Sequence, residues 1–252
     1  MTDLPVWLQA GGWGLLAGGA LVLGALVAWF VAVPQRVVAG VMAFGAGVLI
    51  SALAFDLVDE AERTGGLGPT VVGFLGGALA YVAANIALAR RGARHRKRSQ
   101  DQQASEEDQE GSGAAIAVGA LLDGVPESVV LGVSLLGGSG VGVPVLAAIF
   151  ISNLPEGLSS AAGMKRSGRS ARYVFGVWGG IAAASGLAGL LGALLLDGAP
   201  ATTTAVITAV AAGAILAMVA DTMIPEAFED THLYAGLLAT LGFIVAFSIE
   251  RL

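Results

Sequence analysis

Cysteine is absent from this chain, and histidine occurs only twice, at His95 and His232. A disulfide framework, a thiolate metal site and thiol redox chemistry are therefore all excluded. Charged residues make up 13% of the 252 positions and aromatic ones 6%, where a soluble domain carries about 25% charged residues. No Gly-x-x-x-x-Gly-Lys-Ser/Thr run is found, so no phosphate-cradling loop for ATP-driven work is present.

What the chain has instead is apolar bulk in long runs. It is 56% hydrophobic, with 38 glycines and a mean hydropathy of +0.79. Small residues in apolar helices allow close backbone approach, which is how helices pack in lipid. Eight stretches reach the roughly 20 residues that a bilayer demands: about 10–33, 37–60, 68–90, 113–137, 142–164, 172–196, 203–225 and 233–250. The first reads as a span and not a signal peptide, having no basic n-region and no clear small-residue cleavage site. Trp7, Trp13, Trp29 and Trp178 read as interfacial or packing residues.

The net charge of −6 is segregated along the chain. Arg36, a cluster from Arg90 to Arg98, and Lys165, Arg166, Arg169 and Arg172 all fall on one side if every span crosses. By the positive-inside rule that side is cytoplasmic and both termini face out. The segment 91–112 passes from basic to acidic and is poor in apolar residues, so it is expected to be a solvated, disordered cytoplasmic loop. With only His95 in it, metal sensing there is weakly supported.

Internal similarity adds architecture. "AGVLISALAFDLVDEA" (46–61) aligns without gaps on "AGAILAMVADTMIPEA" (212–227), on spans expected to run in opposite directions. "DGVPES" (123–128) and "SNLPEG" (152–157) form a second such pair. Inverted repeats of this kind place a substrate site near the midplane, often where helices are interrupted. The expected organisation is a first three-helix repeat over 1–90, the loop 91–112, a central helix pair over 113–164, and a second three-helix repeat over 165–252.

The two short motifs carry the chemistry. Asp123 lies about ten residues into its span, about 15 Å deep at 1.5 Å per residue. Glu127, four residues on, shares its helical face. On the next span Ser152, Asn153 and Glu156 stand together. Pro126 and Pro155 each free a carbonyl one turn earlier, which is tolerable at membrane depth only beside protein or a wet cavity. Intramembrane acids default to function, and a divalent cation would keep them ionised. The blander reading is a set of protonated carboxyls bonding helices together. Asp56, Asp59 and Glu60 at one end suit an entrance that attracts cations, and Asp221 and Glu226 at the other an exit, although interfacial solvation accounts for both by position. His232 reads as solvated.

At these residues the sequence resembles the ZIP family of divalent-metal transporters, whose paired Pro-Glu motifs lie on spans four and five. The resemblance extends to "FGAGVLISALAFDLV", "SGLAGLLGALL" and "AAGAILAMVADTMIPEA" and covers nearly all the membrane part, but not 91–112. It implies an all-α membrane protein of eight spans arranged 3+2+3, both termini outside, in a bacterial inner membrane. It also implies a metal site of Asp123, Glu127 and Glu156, with Asp in place of the family's His, and with Ser152 and Asn153 beside it. The family's second metal site has Gly124, Asn153 and Gly189 at its positions and looks stripped, so one transported ion is expected. An all-oxygen set suits Mn²⁺ or Mg²⁺, and family precedent favours zinc-class ions, with Mn, Fe or Cd open.

The function expected is carrier-type import of such metals into the cytoplasm, with no prosthetic cofactor and no enzymatic activity. The partners expected are the metal ion and the lipid bilayer, not nucleic acid, with a homodimer left open. A non-transporting metal-sensing or partner-binding relative, or a metal-dependent membrane hydrolase, remains as an alternative.

Overall fold

The computed structural model describes residues 4–97, 103–105, 107–137 and 143–251. Within them the chain is all-α, with eight helices long and apolar enough to cross a membrane. Backbone in hydrocarbon must satisfy its own hydrogen bonds, and helices do so within one segment. The eight are α1 (Val6–Phe30), α2 (Gln35–Gly65), α3 (Leu67–Ala93), α4 (Ser112–Ser134), α5 (Val143–Arg166), α6 (Ala171–Leu196), α7 (Ala201–Thr231) and α8 (Leu233–Glu250).

Helices α2 and α7 are longer than the hydropathy pattern suggests, at 31 residues each. Both contain a single π-helical turn, at Leu53–Leu57 in α2 and Val219–Met223 in α7. The turns sit at equivalent places in the two helices, 166 positions apart (53 to 219), the same offset as the aligned segments (46 to 212). Such bulges widen a helix locally, and each here carries one aspartate, Asp56 or Asp221.

Packing repeats the same correspondence. Helix α1 lies against α5 and α6, α2 against α5 and α8, α4 against α6 and α7, and α3 against α7. Exchanging α1 with α6, α2 with α7, α3 with α8 and α4 with α5 reproduces that pattern. The Ala-Gly pair shared by the two aligned segments has a steric reason. A Cβ at Gly47 would strike the Ala239 carbonyl of α8, and one at Gly213 the Phe74 carbonyl of α3. Without side chains at these points the backbones reach contact, the means of helix association in lipid.

One apolar cluster, including Met42, Leu49, Leu131, Ile149, Ile215 and Met223, fills the centre of the bundle. A second, built on Leu21, Ile116, Met164 and Trp178, fills the end that carries the basic residues. Leu75 and Leu79 on α3 and Leu237 and Leu241 on α8 are exposed, as expected for faces that meet lipid.

The segment after α3 departs from expectation. Gly92, at φ +95°, breaks the helix after Arg91 and turns the chain back towards the bundle. Arg96, Lys97 and Gln103 are buried, at 1%, 3% and 5% exposure. A solvated loop over 91–112 is therefore the wrong description of these residues. Its composition is that of a linker, but buried carboxylates below it attract its cations. Positions 98–102 and 106 lie outside the described residues.

Candidate metal site

Helices α4 and α5 each carry an internal proline, Pro126 and Pro155. Each ring removes an amide donor and so frees the carbonyl four residues earlier, at Leu122 and Ile151. Next to these interruptions Asp123, Glu127, Ser152, Asn153 and Glu156 are all buried, none more than 4% exposed. The two motifs singled out in the sequence thus meet in the interior of the bundle.

The carboxylates are not alone there. Arg96 grips Asp123 with two donors, Nε to Oδ2 at 2.9 Å and Nη2 to Oδ1 at 2.8 Å. The Tyr81 hydroxyl donates to Asp123 Oδ1 at 2.7 Å and accepts from Arg96 Nη2 at 2.9 Å. Arg96 Nη1 reaches Asn85 Oδ1 at 2.7 Å. Burial opposes the Arg96 charge, but Asp123 outweighs it and holds the guanidinium pKa above its ordinary value.

Lys97 lies between the two helices. Its Nζ is 2.9 Å from Glu156 Oε2 and 3.5 Å from Asp123 Oδ2. These are ion pairs by distance, the shorter of them within hydrogen-bond reach. Glu127 is different again. Both its carboxylate oxygens are buried without a hydrogen-bond partner, although it feels the charges of Glu156, Lys97 and Asp123.

The backbone of the cationic pair is strapped to α5. The Ser160 hydroxyl and Gln103 Nε2 both donate to the Arg96 carbonyl. Gln103 Nε2 also reaches the Ser160 carbonyl at 3.0 Å. The Ser159 hydroxyl lies 2.6 Å from the Lys97 carbonyl and 2.9 Å from Glu226 Oε1. Arg169 Nη2 donates to the Ala104 carbonyl and to Ser112 Oγ, at 3.1 and 2.6 Å.

Two cavities flank the site. One of about 330 Å³ lies at the basic end, lined by Asn85, Arg94, His95, Lys97, Asp221 and Thr222. The other, about 1110 Å³, lies at the opposite end and includes Asp56, Asp59, Glu60, Arg63 and Glu250 in its walls. Val130 and Val145 in its lining belong to the central apolar cluster. The acids expected at an entrance therefore line this cavity, with Asp59 paired to Arg63 at 2.6 Å. Of those expected at an exit, Asp221 lines the basic-end cavity and accepts from Asn85 Nδ2 at 3.4 Å, while Glu226 is buried beside Ser159.

Two candidate ligands are oriented by bonds that they donate to backbone carbonyls. Asn153 Nδ2 donates to the Ala17 carbonyl of α1 at 3.0 Å, and the Ser152 hydroxyl donates to the Ile149 carbonyl of its own helix at 2.9 Å. At the second-site positions, a Cβ on Gly189 would meet the Ala10 carbonyl at 2.7 Å, whereas Gly124 has ordinary clearance from Ile181 and Ser185. Among the described residues, no three His, Asp or Glu side chains stand close enough to hold a metal ion as they are.

Sequence reasoning missed Tyr81, Asn85, Arg96, Lys97 and Gln103. A signal existed: three buried acids with no cation among the spans need one from elsewhere, and the nearest basic run in the chain is 90–98. Positive-inside counting treats that run only as a marker of orientation.

No curated protein matches the chain. A family model described as ZIP zinc transporter matches residues 83–250, from within α3 to the end of α8. That stretch contains both Pro-Glu motifs, the strapped cationic segment and the whole second half of the bundle, and on this match the chain belongs to the ZIP zinc transporter family.

Proposed function

We propose that this protein carries a divalent transition metal of the zinc class, with Mn, Fe or Cd open, into the cytoplasm by alternating access. The family implies divalent-metal transport. The observation that carries the finer reading is the buried carboxylate group on the two proline-interrupted helices, Asp123 and Glu127 on α4 and Glu156 on α5. Ser152 and Asn153 flank it, and their donations to backbone carbonyls leave the lone pairs of their own oxygens for a metal. Zn²⁺ accepts carboxylate oxygen at about 2.0–2.2 Å, and an all-oxygen set also suits Mn²⁺. A single ion is expected, because glycine at 124 and 189 supplies no ligand for a second.

The membrane is a bacterial inner membrane, with both termini outside and the basic end cytoplasmic, following the distribution of Arg and Lys. The spans divide 3+2+3, and the flanking repeats rock against the central pair, as the repeated packing suits. Asp56, Asp59 and Glu60 gather cations at the outer mouth, and Asp221 lines the way out. The test is metal flux into proteoliposomes with Zn²⁺, Mn²⁺, Fe²⁺ and Cd²⁺ in parallel. Flux in the wild type that is lost in Glu127→Gln and Glu156→Gln supports the reading.

A second reading has its own observation. Arg96 and Lys97 already sit on Asp123 and Glu156, so the protein could bind metal as a sensor without moving it. Binding without flux in the wild type favours that reading.

A further inference from the structure

Resting on the metal site just proposed, we infer that Lys97 is a tethered, exchangeable cation that occupies the place of the metal on Glu156 and must leave for the metal to bind, while Arg96 anchors Asp123 permanently. Lys97 thereby sets the affinity of the site.

The two neighbouring cations are held in different ways. The Arg96 guanidinium has directed contacts with Asp123, Tyr81, Asn85 and the Ala93 carbonyl, and its own carbonyl takes two donors. Moving the guanidinium breaks every one of its own contacts. Lys97 has two ion pairs, at 2.9 Å to Glu156 and 3.5 Å to Asp123. Its backbone is held through its carbonyl by Ser159, but its side chain is a flexible four-carbon stem ending in a point charge. Rotation about that stem is enough to move the charge.

Somewhere to move exists. Lys97 lines the basic-end cavity, and Asp221 lines the same cavity, so the ammonium finds a second carboxylate without the strap letting go. Charge argues the same way. Arg96 and Lys97 balance only two of the three carboxyl groups. With a divalent ion in place of the ammonium, and the carboxylates held ionised by the metal, three negative charges face three positive ones. Glu127, buried without a hydrogen-bond partner, is the ligand left for the metal.

Two experiments test this on the full-length protein. In the first, Zn²⁺ affinity in detergent is measured by calorimetry for the wild type, Lys97→Met and Lys97→Arg. Removing the competing charge in Lys97→Met is expected to lower Kd by about tenfold or more, a factor equivalent to about 1.4 kcal/mol, while Lys97→Arg gains nothing. In the second, which needs no variant, acetylation by an amine reagent is followed by mass spectrometry with and without Zn²⁺. Labelling of Lys97 is expected to rise several-fold when Zn²⁺ binds, with Lys165, the other lysine in the chain, as internal reference.

Unchanged Kd in Lys97→Met, or unchanged Lys97 labelling while Zn²⁺ demonstrably binds, overturns the inference and leaves the transport reading intact. Tight binding in Lys97→Met with no flux in any form upholds the inference and sinks transport. Absence of Zn²⁺ binding in both the wild type and Lys97→Met overturns the metal site and the inference together.

Discussion

Asp123 and Glu127 stand one turn apart on the same helix and are equally buried, yet they are held very differently. Asp123 is held by Tyr81 and two donors of Arg96, with Lys97 at 3.5 Å. Glu127 has no hydrogen-bond partner. Removing one member of a buried ion pair strands the other, at about 3–5 kcal/mol, so Asp123 belongs to the framework of the folded protein. A buried carboxyl with no hydrogen-bond partner contributes nothing of that kind, and the proposed function makes it a ligand for the metal. On the proposed function, the site contains one carboxylate anchored to the framework and one left open for the metal.

The sharpest way to break this comparison is Arg96→Met. It leaves Asp123 buried without its bidentate partner and is expected to lower the thermal stability of the detergent-solubilised protein by about 3–5 kcal/mol, read as a fall in Tm and in yield. Glu127→Gln should do the reverse, abolishing metal flux into proteoliposomes while leaving Tm unchanged or higher. Loss of Tm comparable to Arg96→Met would show that Glu127 has a structural partner and end the distinction. Tyr81→Phe removes one donor from Asp123 and one acceptor from Arg96, and should cost about 1–3 kcal/mol with flux retained in the surviving folded protein. Ser159→Ala loosens the strap at the Lys97 carbonyl and should cost about 1 kcal/mol, with Lys97 becoming more reactive to amine reagents even without metal. The smallest effect is expected at the far cavity. Asp59→Asn breaks an exposed ion pair with Arg63, worth at most about 1 kcal/mol, and should reduce flux mainly at low ionic strength, where steering by exposed charge is felt.

Much of the framework was legible because lipid leaves few choices. Apolar runs of sufficient length must be helices, and α4 and α6 end close to where hydropathy changes. The Ala-Gly pairs at 46–47 and 212–213 marked equivalent helices because close packing there tolerates no side chain at Gly47 or Gly213. The extra length of α2 and α7 was not legible. Their ends carry polar residues such as Asp59, Glu60 and Glu226, which a hydropathy window reads as boundaries even where the helix continues.

The sequence by itself determined that this chain is an all-α membrane protein and that Asp123, Glu127 and Glu156 lie on two helices that each carry an internal proline, because span length, helical spacing and the lost amide of proline are properties of local chain. Only the tertiary structure decided what those carboxylates face. Arg96 and Lys97 are polar residues in a linker-like segment, and nothing local distinguishes them from Arg94 or Arg90. They are buried because the fold gathers three acids in one low-dielectric place, where an unpaired charge is costly, and because the turn at Gly92 and the hydroxyls of Ser159 and Ser160 let that segment reach them.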